Sequence, residues 1–205
     1  IFEPGLDELV VRNYQSKRLF FTTDINKAIK DSDIVFIAVG TPTDKDGVSA
    51  DLKSVYEVAK IISKNINKYK IIITKSTVPV CTGDEVENII KKNNSTSKFD
   101  VVSNPEFLRE GEAIRDFRYP DRIVIGSNNL KKTRLVLEKL YEPIIKKGAK
   151  FIATTRRSSE LIKYAANAFL ATKISFINEI ANLCEKVGSN VDDIALGIGT
   201  DERIG

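Results

Sequence analysis

The sequence Asp33-Ile34-Val35-Phe36-Ile37-Ala38-Val39-Gly40 is a continuous apolar run that ends at a glycine. Such a run is typical of a β-strand that is buried on both faces, as the strands of a parallel sheet are. Similar short runs rich in β-branched residues follow at 70–75, 99–103, 122–126 and 150–153. We therefore expect each of these runs to be a strand.

Helical segments separate the strand-like runs, near residues 51–66, 83–93 and 130–146. Alternating strands and helices predict an α/β fold, a doubly wound (Rossmann-like) and mostly parallel sheet with helices on both faces. Thr82 followed by Glu85 predicts a capping box at the start of one helix.

A long helical pattern then runs from about Ser158 to Val187 without glycine or proline, and Gly188 is the expected C-cap. At 1.5 Å per residue this helix is about 45 Å long. One small domain cannot bury such a helix, so we expect it to link two domains or to pack on another chain; a core helix within one chain is the alternative. We place a Rossmann-like domain at residues 1–155 and the long helix with the start of a second domain at 156–205.

Composition excludes several classes of protein. The net charge of +4 comes from scattered lysine and arginine pairs without interleaved aromatics, which indicates a solvated surface and no nucleic-acid partner. No apolar run approaches the length of a membrane span, and two distant cysteines give neither a disulfide framework nor zinc spacing. We expect a cytoplasmic protein without a metal site.

The 205 residues include no histidine, so any chemistry must use carboxylates, lysine, hydroxyls or bound water. The best candidate is Ser103-Asn104-Pro105-Glu106-Phe107-Leu108-Arg109-Glu110-Gly111, where two carboxylates stand four residues apart on a turn after a strand. Lys163 and Asn167 are also four apart and would share one helix face. Together these side chains are suited to enclosing a polar substrate.

Two more turns follow strands, Val39-Gly40-Thr41-Pro42-Thr43 and Lys75-Ser76-Thr77-Val78-Pro79. Ligands of α/β sheets bind outside the carboxyl ends of the strands. Each proline-containing turn alone is ordinary turn chemistry. Three such turns at one edge of the sheet indicate a binding site.

These motifs resemble those of the nucleotide-sugar 6-dehydrogenases, the UDP-glucose/GDP-mannose dehydrogenase family, and most closely those of the members that oxidise UDP-glucose. The resemblance covers essentially the whole chain. Besides the two turns, its carriers are Phe2-Glu3-Pro4-Gly5-Leu6, residues 104–111, Tyr119-Pro120-Asp121-Arg122-Ile123 and Lys163-Tyr164-Ala165-Ala166-Asn167-Ala168-Phe169-Leu170.

The resemblance implies NAD-dependent oxidation of a sugar C6 twice, from alcohol to aldehyde to acid, with a cysteine thiohemiacetal and thioester on the way. It implies that the chain binds NAD through Val39, Gly40, Thr41, Pro42, Thr43, Ser76, Thr77 and Glu110. It implies that the substrate contacts Glu106, Phe107, Leu108, Arg109, Glu110, Lys163, Asn167 and Arg203.

The same resemblance implies a role for each catalytic residue. Thr77 would help to hold a water molecule, and Glu106 would be the general base of thioester hydrolysis. Lys163, with Asn167 beside it, would stabilise the oxyanion at C6. Glu110 would lie where the nicotinamide and the substrate meet. The family also dimerises through the long helix, which implies a homodimer, and UDP-glucuronate for surface polysaccharides is its usual product.

Two family elements are expected outside this sequence. The glycine-rich turn for the cofactor pyrophosphate and the acidic residue for the adenosine ribose should precede Ile1, and the segment with the nucleophilic cysteine should follow Gly205. Cys81 stands where the family usually has glycine, and Cys184 is expected to be a buried thiol of the long helix, so neither replaces the nucleophile. We therefore expect a truncated sheet and little or no activity from these residues alone.

Three alternatives stay open. The first is that the chain is a noncatalytic truncated relic or an oligomerisation fragment. The second is a relative that oxidises GDP-mannose or a UDP-N-acetylhexosamine. The third is a member of the wider 6-phosphogluconate and 3-hydroxyacid dehydrogenase group, which has a lysine and an asparagine four apart on the long helix but normally lacks the turn at 104–110.

Overall fold

A computed structural model describes residues 3–96 and 98–204, so Phe2 of the opening motif and Gly205 lie outside the described residues. Five strands are present in this part of the chain: β1 (Ile34–Ile37), β2 (Lys70–Thr74), β3 (Phe99–Ser103), β4 (Arg122–Ser127) and β5 (Lys150–Thr154). The helices are α1 (Leu6–Gln15), α2 (Ile25–Asp31), α3 (Lys53–Asn65), α4 (Thr82–Asn93), α5 (Ala113–Arg118), α6 (Leu130–Ile145), α7 (Arg156–Val187) and α8 (Val191–Gly199).

The strands form one sheet in the order β1-β2-β3-β4-β5. Strands β1, β2 and β3 run parallel, with Val35 opposite Ile72 and Ile72 opposite Val101. Strand β4 pairs antiparallel with β3, and β5 pairs parallel with β4. The predicted Rossmann-like, mostly parallel sheet is confirmed, and it is followed by the long helix α7.

Helices cover both faces of the sheet. Neighbouring residues of a strand point to opposite sides, so each strand contributes apolar side chains to both faces. On one face Ile72 and Val101 pack in a buried cluster with residues of α3 and α4. On the other face Ile71, Ile73 and Val102 pack with Leu137 of α6. The core therefore consists of two apolar layers separated by the sheet.

Strand β1 is less buried than its sequence predicts. The run from Asp33 to Gly40 predicts a strand buried on both faces, but only Ile37 of β1 is buried and Phe36 is 42% exposed. The reason is position: β1 is an edge strand of the described sheet and has a hydrogen-bonded neighbour, β2, on one side.

The predicted capping box of α4 is wrong. Thr82 is the first helical residue, and its hydroxyl donates to the carbonyl oxygen of Pro79 at 2.7 Å. The cap is instead the carboxylate of Glu160, which accepts from the backbone N–H of Cys81 and of Gly83, each at 2.8 Å. A carboxylate near the first N–H groups of a helix also complements the helix dipole.

The chain divides into two compact units, residues 1–163 and residues 164–205. In the second unit Gly188 has a φ of 72°, and the N–H of Ser189 donates to the carbonyl of Cys184 at 3.0 Å, as predicted for a glycine C-cap. Cys184 is buried, as expected. No helix in the described part of the chain is long and apolar enough to cross a membrane.

Gly126 of β4 lies against the start of α7 at a distance that leaves no room for a side chain. A Cβ there would come within 2.5 Å of the Thr155 carbonyl oxygen and 2.7 Å of the Arg156 Cα, both backbone atoms. We expect Gly126→Ala to lower the free energy of unfolding by about 1–3 kcal/mol, because the backbone must shift. Chemical denaturation followed by circular dichroism measures this change.

The control is Gly40→Ala, since a Cβ at Gly40 has no heavy atom within 4 Å. Equal stabilities of the two variants would contradict the close approach of β4 and α7.

Candidate active site

The three turns predicted to converge do meet at one edge of the sheet. Strands β1, β2 and β3 run parallel and end at this edge. The hydroxyl of Thr41 donates to the carbonyl of Thr77 at 2.9 Å, and the hydroxyl of Ser76 donates to the carbonyl of Val39 at 2.6 Å. These two bonds hold the turn after β1 against the turn after β2. Both turns lie at the carboxyl ends of their strands, where α/β sheets bind ligands.

Glu106 is the polar centre of the first unit at this edge. Its Oε1 lies 3.1 Å from the Nζ of Lys163 and accepts from the Thr77 hydroxyl at 3.4 Å. Its Oε2 accepts from the backbone N–H of Leu108 at 2.7 Å. The structure thus joins three predicted catalytic residues, Thr77, Glu106 and Lys163, in one cluster.

Charged groups set the protonation state of Glu106. Burial raises the pKa of its carboxyl, but the Leu108 N–H, the Lys163 ammonium and the positive charge of Lys75 lower it more, so that the net pKa lies below its usual range. Hydrogen bonds and cations that favour the carboxylate outweigh its desolvation. Glu106 is consequently ionised at neutral pH.

Lys163 is buried, although it is a lysine near the start of a long helix. Its Nζ lies 5.3 Å from the centre of the Phe107 ring, and the guanidinium carbon of Arg122 lies 4.1 Å from the same centre. Cations next to an aromatic ring are attracted by its quadrupole. Phe107, the neighbour of Glu106 in the chain, therefore lies next to two cations.

The exposed part of the turn is braced by other contacts. The backbone N–H and the guanidinium of Arg109 bind the carboxylate of Asp116, at 2.7–2.9 Å. The hydrogen bond to Arg109 lowers the pKa of Asp116 to about 2. Glu3 accepts from the N–H of Gly111 at 2.8 Å, and Glu110 is exposed.

Two predicted residues belong to the second unit. Asn167 is exposed on α7. Arg203 follows α8, and its guanidinium binds the carboxylate of Asp201, with Nε 2.9 Å from Oδ1. Of the predicted catalytic residues, the described contacts therefore link Thr77, Glu106 and Lys163, all of the first unit.

Several residues of the site were given no role from the sequence. Lys75 donates to Asn104 Oδ1 at 3.3 Å, and the Tyr141 hydroxyl donates to the same oxygen at 2.6 Å. A lysine directly before the Ser76 turn was the available signal for Lys75. Tyr141, on α6, gave none, because its contact joins residues far apart in sequence.

The chemistry open to this cluster is acid–base and electrostatic. A buried ammonium stabilises negative charge on a bound oxygen, and an ionised carboxylate accepts a proton. Within residues 3–96 and 98–204, no three histidine, cysteine, aspartate or glutamate side chains come together as ligands for a metal ion.

Comparison with known proteins places this geometry in a family. Residues 1–145 match the NAD binding domain of the UDP-glucose/GDP-mannose dehydrogenase family, and residues 157–205 match its central domain. Over its whole length the chain is 57% identical to UDP-glucose 6-dehydrogenase of Rhizobium meliloti and 54% identical to UDP-glucose 6-dehydrogenase TuaD of Bacillus subtilis. It spans 47% and 44% of these two relatives, about half of their length.

Solved structures agree with this assignment. A UDP-glucose dehydrogenase from the archaeon Pyrobaculum islandicum superimposes with a TM-score of 0.94 at 40% identity, over 100% of this chain and 47% of that one. GDP-mannose dehydrogenase from Pseudomonas aeruginosa superimposes with a TM-score of 0.92 at 36% identity, over 98% and 47%. The chain belongs to the UDP-glucose/GDP-mannose dehydrogenase family, and it matches the NAD binding domain and the central domain of that family.

Proposed function

We propose that the full-length protein is an NAD-dependent UDP-glucose 6-dehydrogenase, which oxidises C6 of UDP-glucose twice and yields UDP-glucuronate. The observation that carries the proposal is the cluster of Glu106, Lys163 and Thr77 at the edge of a sheet that matches an NAD binding domain. The names of relatives at 57% and 54% identity support the choice of substrate.

The turns after β1 and β2 are suited to a dinucleotide. Gly40 is exposed and a Cβ there would have no heavy atom within 4 Å, so a ligand can approach the backbone. We assign cofactor binding to Val39, Gly40, Thr41, Pro42, Thr43, Ser76, Thr77 and Glu110. When bound, NAD supplies the hydride acceptor for an oxidation at carbon.

Lys163 is assigned the stabilisation of the oxygen on C6. A buried ammonium acts strongly on developing negative charge, because little water screens it. On the resemblance of its motif, we assign Asn167 to the same task as an amide donor. Among the substrate contacts, we assign Arg203 on the resemblance of its motif, together with the backbone and side chains of 106–110.

Glu106 is assigned the role of general base. It is ionised at neutral pH, and the Thr77 hydroxyl at 3.4 Å is placed to orient a water molecule next to the carboxylate. In the thioester hydrolysis that follows the second oxidation, the carboxylate takes a proton from this water as the water oxygen attacks the acyl carbon. The carbonyl oxygen gains the negative charge, which Lys163 stabilises, and the thiolate of the nucleophilic cysteine leaves when the carbonyl re-forms. The pair thus divides proton transfer and charge stabilisation between two side chains.

A GDP-mannose dehydrogenase is the second candidate, since one such structure superimposes with a TM-score of 0.92. Steady-state kinetics of the full-length protein with UDP-glucose, GDP-mannose and UDP-N-acetylglucosamine distinguish the two. We expect two NADH per UDP-glucose and a kcat/KM for UDP-glucose that exceeds the others. Release of NADH from none of the three sugars would refute the proposed enzyme and favour a noncatalytic role.

Glu106→Gln in the full-length protein tests the base. Glutamine keeps an oxygen that accepts from the Leu108 N–H but does not take up a proton at neutral pH. We expect kcat to fall by about 10²- to 10⁴-fold, as for loss of a general base. NADH formation at saturating UDP-glucose measures the effect, and Glu112→Gln, at an exposed site nearby, is the control. Full activity of Glu106→Gln would remove Glu106 from the mechanism.

We also propose that the full-length protein is a homodimer through α7. The second unit leaves large apolar side chains of this helix exposed, with Phe169 at 65% and Ile174 at 62%. Exposed apolar area of this kind indicates an interface with another chain.

Sedimentation equilibrium at micromolar concentration is expected to give twice the monomer mass. Ile174→Glu is expected to shift this to the monomer, because a carboxylate in an apolar interface loses its hydration. Glu185→Gln, an exposed polar position of α7, is the control. A wild-type protein with the monomer mass would overturn the dimer.

A further inference from the structure

Lys75 is an ionisable residue at the edge of the site, and the proposed mechanism gives it no role. It follows β2 directly, and its backbone N–H donates to the carbonyl of Ile37 at 2.8 Å. Its side chain is partly buried and turns toward the next strand, where Nζ lies 3.3 Å from Asn104 Oδ1. Nζ also lies 6.0 Å from the centre of the Tyr141 ring.

Asn104 holds the Lys75 ammonium in place. Its side chain is buried, and its Nδ2 donates to the carbonyl of Val124 at 2.8 Å. Its Oδ1 accepts from both Lys75 and Tyr141, and its backbone N–H donates to the carbonyl of Thr74 at 3.0 Å. An amide with these bonds cannot rotate freely, so it fixes the position of the Lys75 ammonium. Asn104 itself precedes Glu106 by two residues.

Two lysines therefore act on one carboxylate. Lys163 contacts Glu106 at 3.1 Å, and the charge of Lys75 also lowers the pKa of Glu106. Burial lowers the pKa of Lys75 to about 8, Glu106 opposes this change, and Lys163 adds to it. Lys75 is thus a cation that loses its charge just above neutral pH.

Lys75 and Glu106 line one cavity together with Tyr141 and Asp116. Burial raises the pKa of Tyr141, on α6, to about 12, and Arg109 lowers that of Asp116, on α5, to about 2. Arg122 of β4 lies next to the Phe107 ring, with its guanidinium carbon 4.1 Å from the ring centre. Neither Tyr141 nor Asp116 changes charge between pH 5 and pH 9.

We propose that Lys75 is a positioning residue for the active site: it supplies the second positive charge that balances Glu106 when Lys163 turns to the substrate oxygen. This inference rests on the proposed function, in which the single ammonium of Lys163 contacts both Glu106 and the oxygen on C6. While Lys163 binds the oxygen on C6, its contact with Glu106 weakens. The Lys75 charge, fixed by Asn104, then keeps Glu106 ionised and ready to accept a proton.

The first test measures Glu106 directly and does not depend on activity. The full-length protein is labelled with ¹³C at the glutamate carboxyl carbons, and Glu106→Gln identifies the Glu106 resonance. Lys75→Gln keeps a donor for Asn104 but removes the charge, Lys75→Arg keeps the charge, and Lys64→Gln changes an exposed lysine of α3. The readout is the titration midpoint of Glu106 in each protein.

We expect Lys75→Gln to raise the midpoint of Glu106 by about one pH unit, because a nearby opposite charge favours the carboxylate. Lys75→Arg and Lys64→Gln should leave the midpoint where it is in the wild type. An unchanged midpoint in Lys75→Gln would overturn the inference, whether or not the protein oxidises UDP-glucose.

The second test is the pH profile of NADH formation by the same proteins. In Lys75→Gln the acidic limb of kcat should move to higher pH, since Glu106 is protonated more readily. In Lys75→Arg the acidic limb should stay where it is in the wild type, because a guanidinium keeps the positive charge. A uniform loss of kcat at every pH would show a merely structural role and overturn the inference, whereas NADH release from no sugar would refute the proposed function and leave the midpoint test to decide.

Discussion

The carboxylate of Glu160 is the contact on which the geometry of the first unit depends. It is buried, and its oxygens accept from the N–H of Cys81, the N–H of Gly83 and the hydroxyl of Ser103, at 2.8–2.9 Å. An isolated buried carboxylate is costly, but three donors compensate this one. Because the donors belong to the start of α4 and the end of β3, a single side chain of α7 joins three elements.

The same contact determines where two charges of the candidate site lie. Lys163 follows Glu160 by one helical turn on α7, and Glu106 follows Ser103 by three residues. Fixing Glu160 against Ser103 therefore brings the ammonium of Lys163 to the carboxylate of Glu106. The close approach of Gly126 to the start of α7 and the hydrogen bond of the Ser159 hydroxyl to the carbonyl of Ser103 at 3.0 Å hold the helix at the same place. The fold and the site share one set of contacts.

Cys81, at the turn into α4, has an unusual backbone conformation that supports the cap of this helix. Cys81 has a φ of 79°, a left-handed conformation that favours glycine and is uncommon for other residues. The conformation points its N–H at Glu160. This left-handed conformation fits the glycine that the resemblance implies at this position. The backbone N–H of Cys81, and not its thiol, contributes to the cap of α4.

The sequence by itself determined the alternation of strands and helices, the mostly parallel sheet, the long helix with its glycine cap and the turns that carry Thr77 and Glu106. These features depend on local patterns, such as apolar runs bounded by turns and a helical period without glycine or proline. The motif resemblance also predicted a role for Lys163, because the motif that carries this residue is a local helix segment. The family match over residues 1–145 and 157–205 agrees with the family that these motifs resemble.

Only the tertiary structure decided that Glu160 and not Thr82 caps α4, and that Lys75 and Tyr141 meet at Asn104. Each of these contacts joins residues that are far apart in sequence, so no local period or spacing encodes it. The charge state of Glu106 likewise depends on burial and on two lysines, of which one precedes it by 31 residues and the other follows it by 57. Desolvation and Coulomb energies depend on distances in space, and the order of residues along the chain does not give those distances.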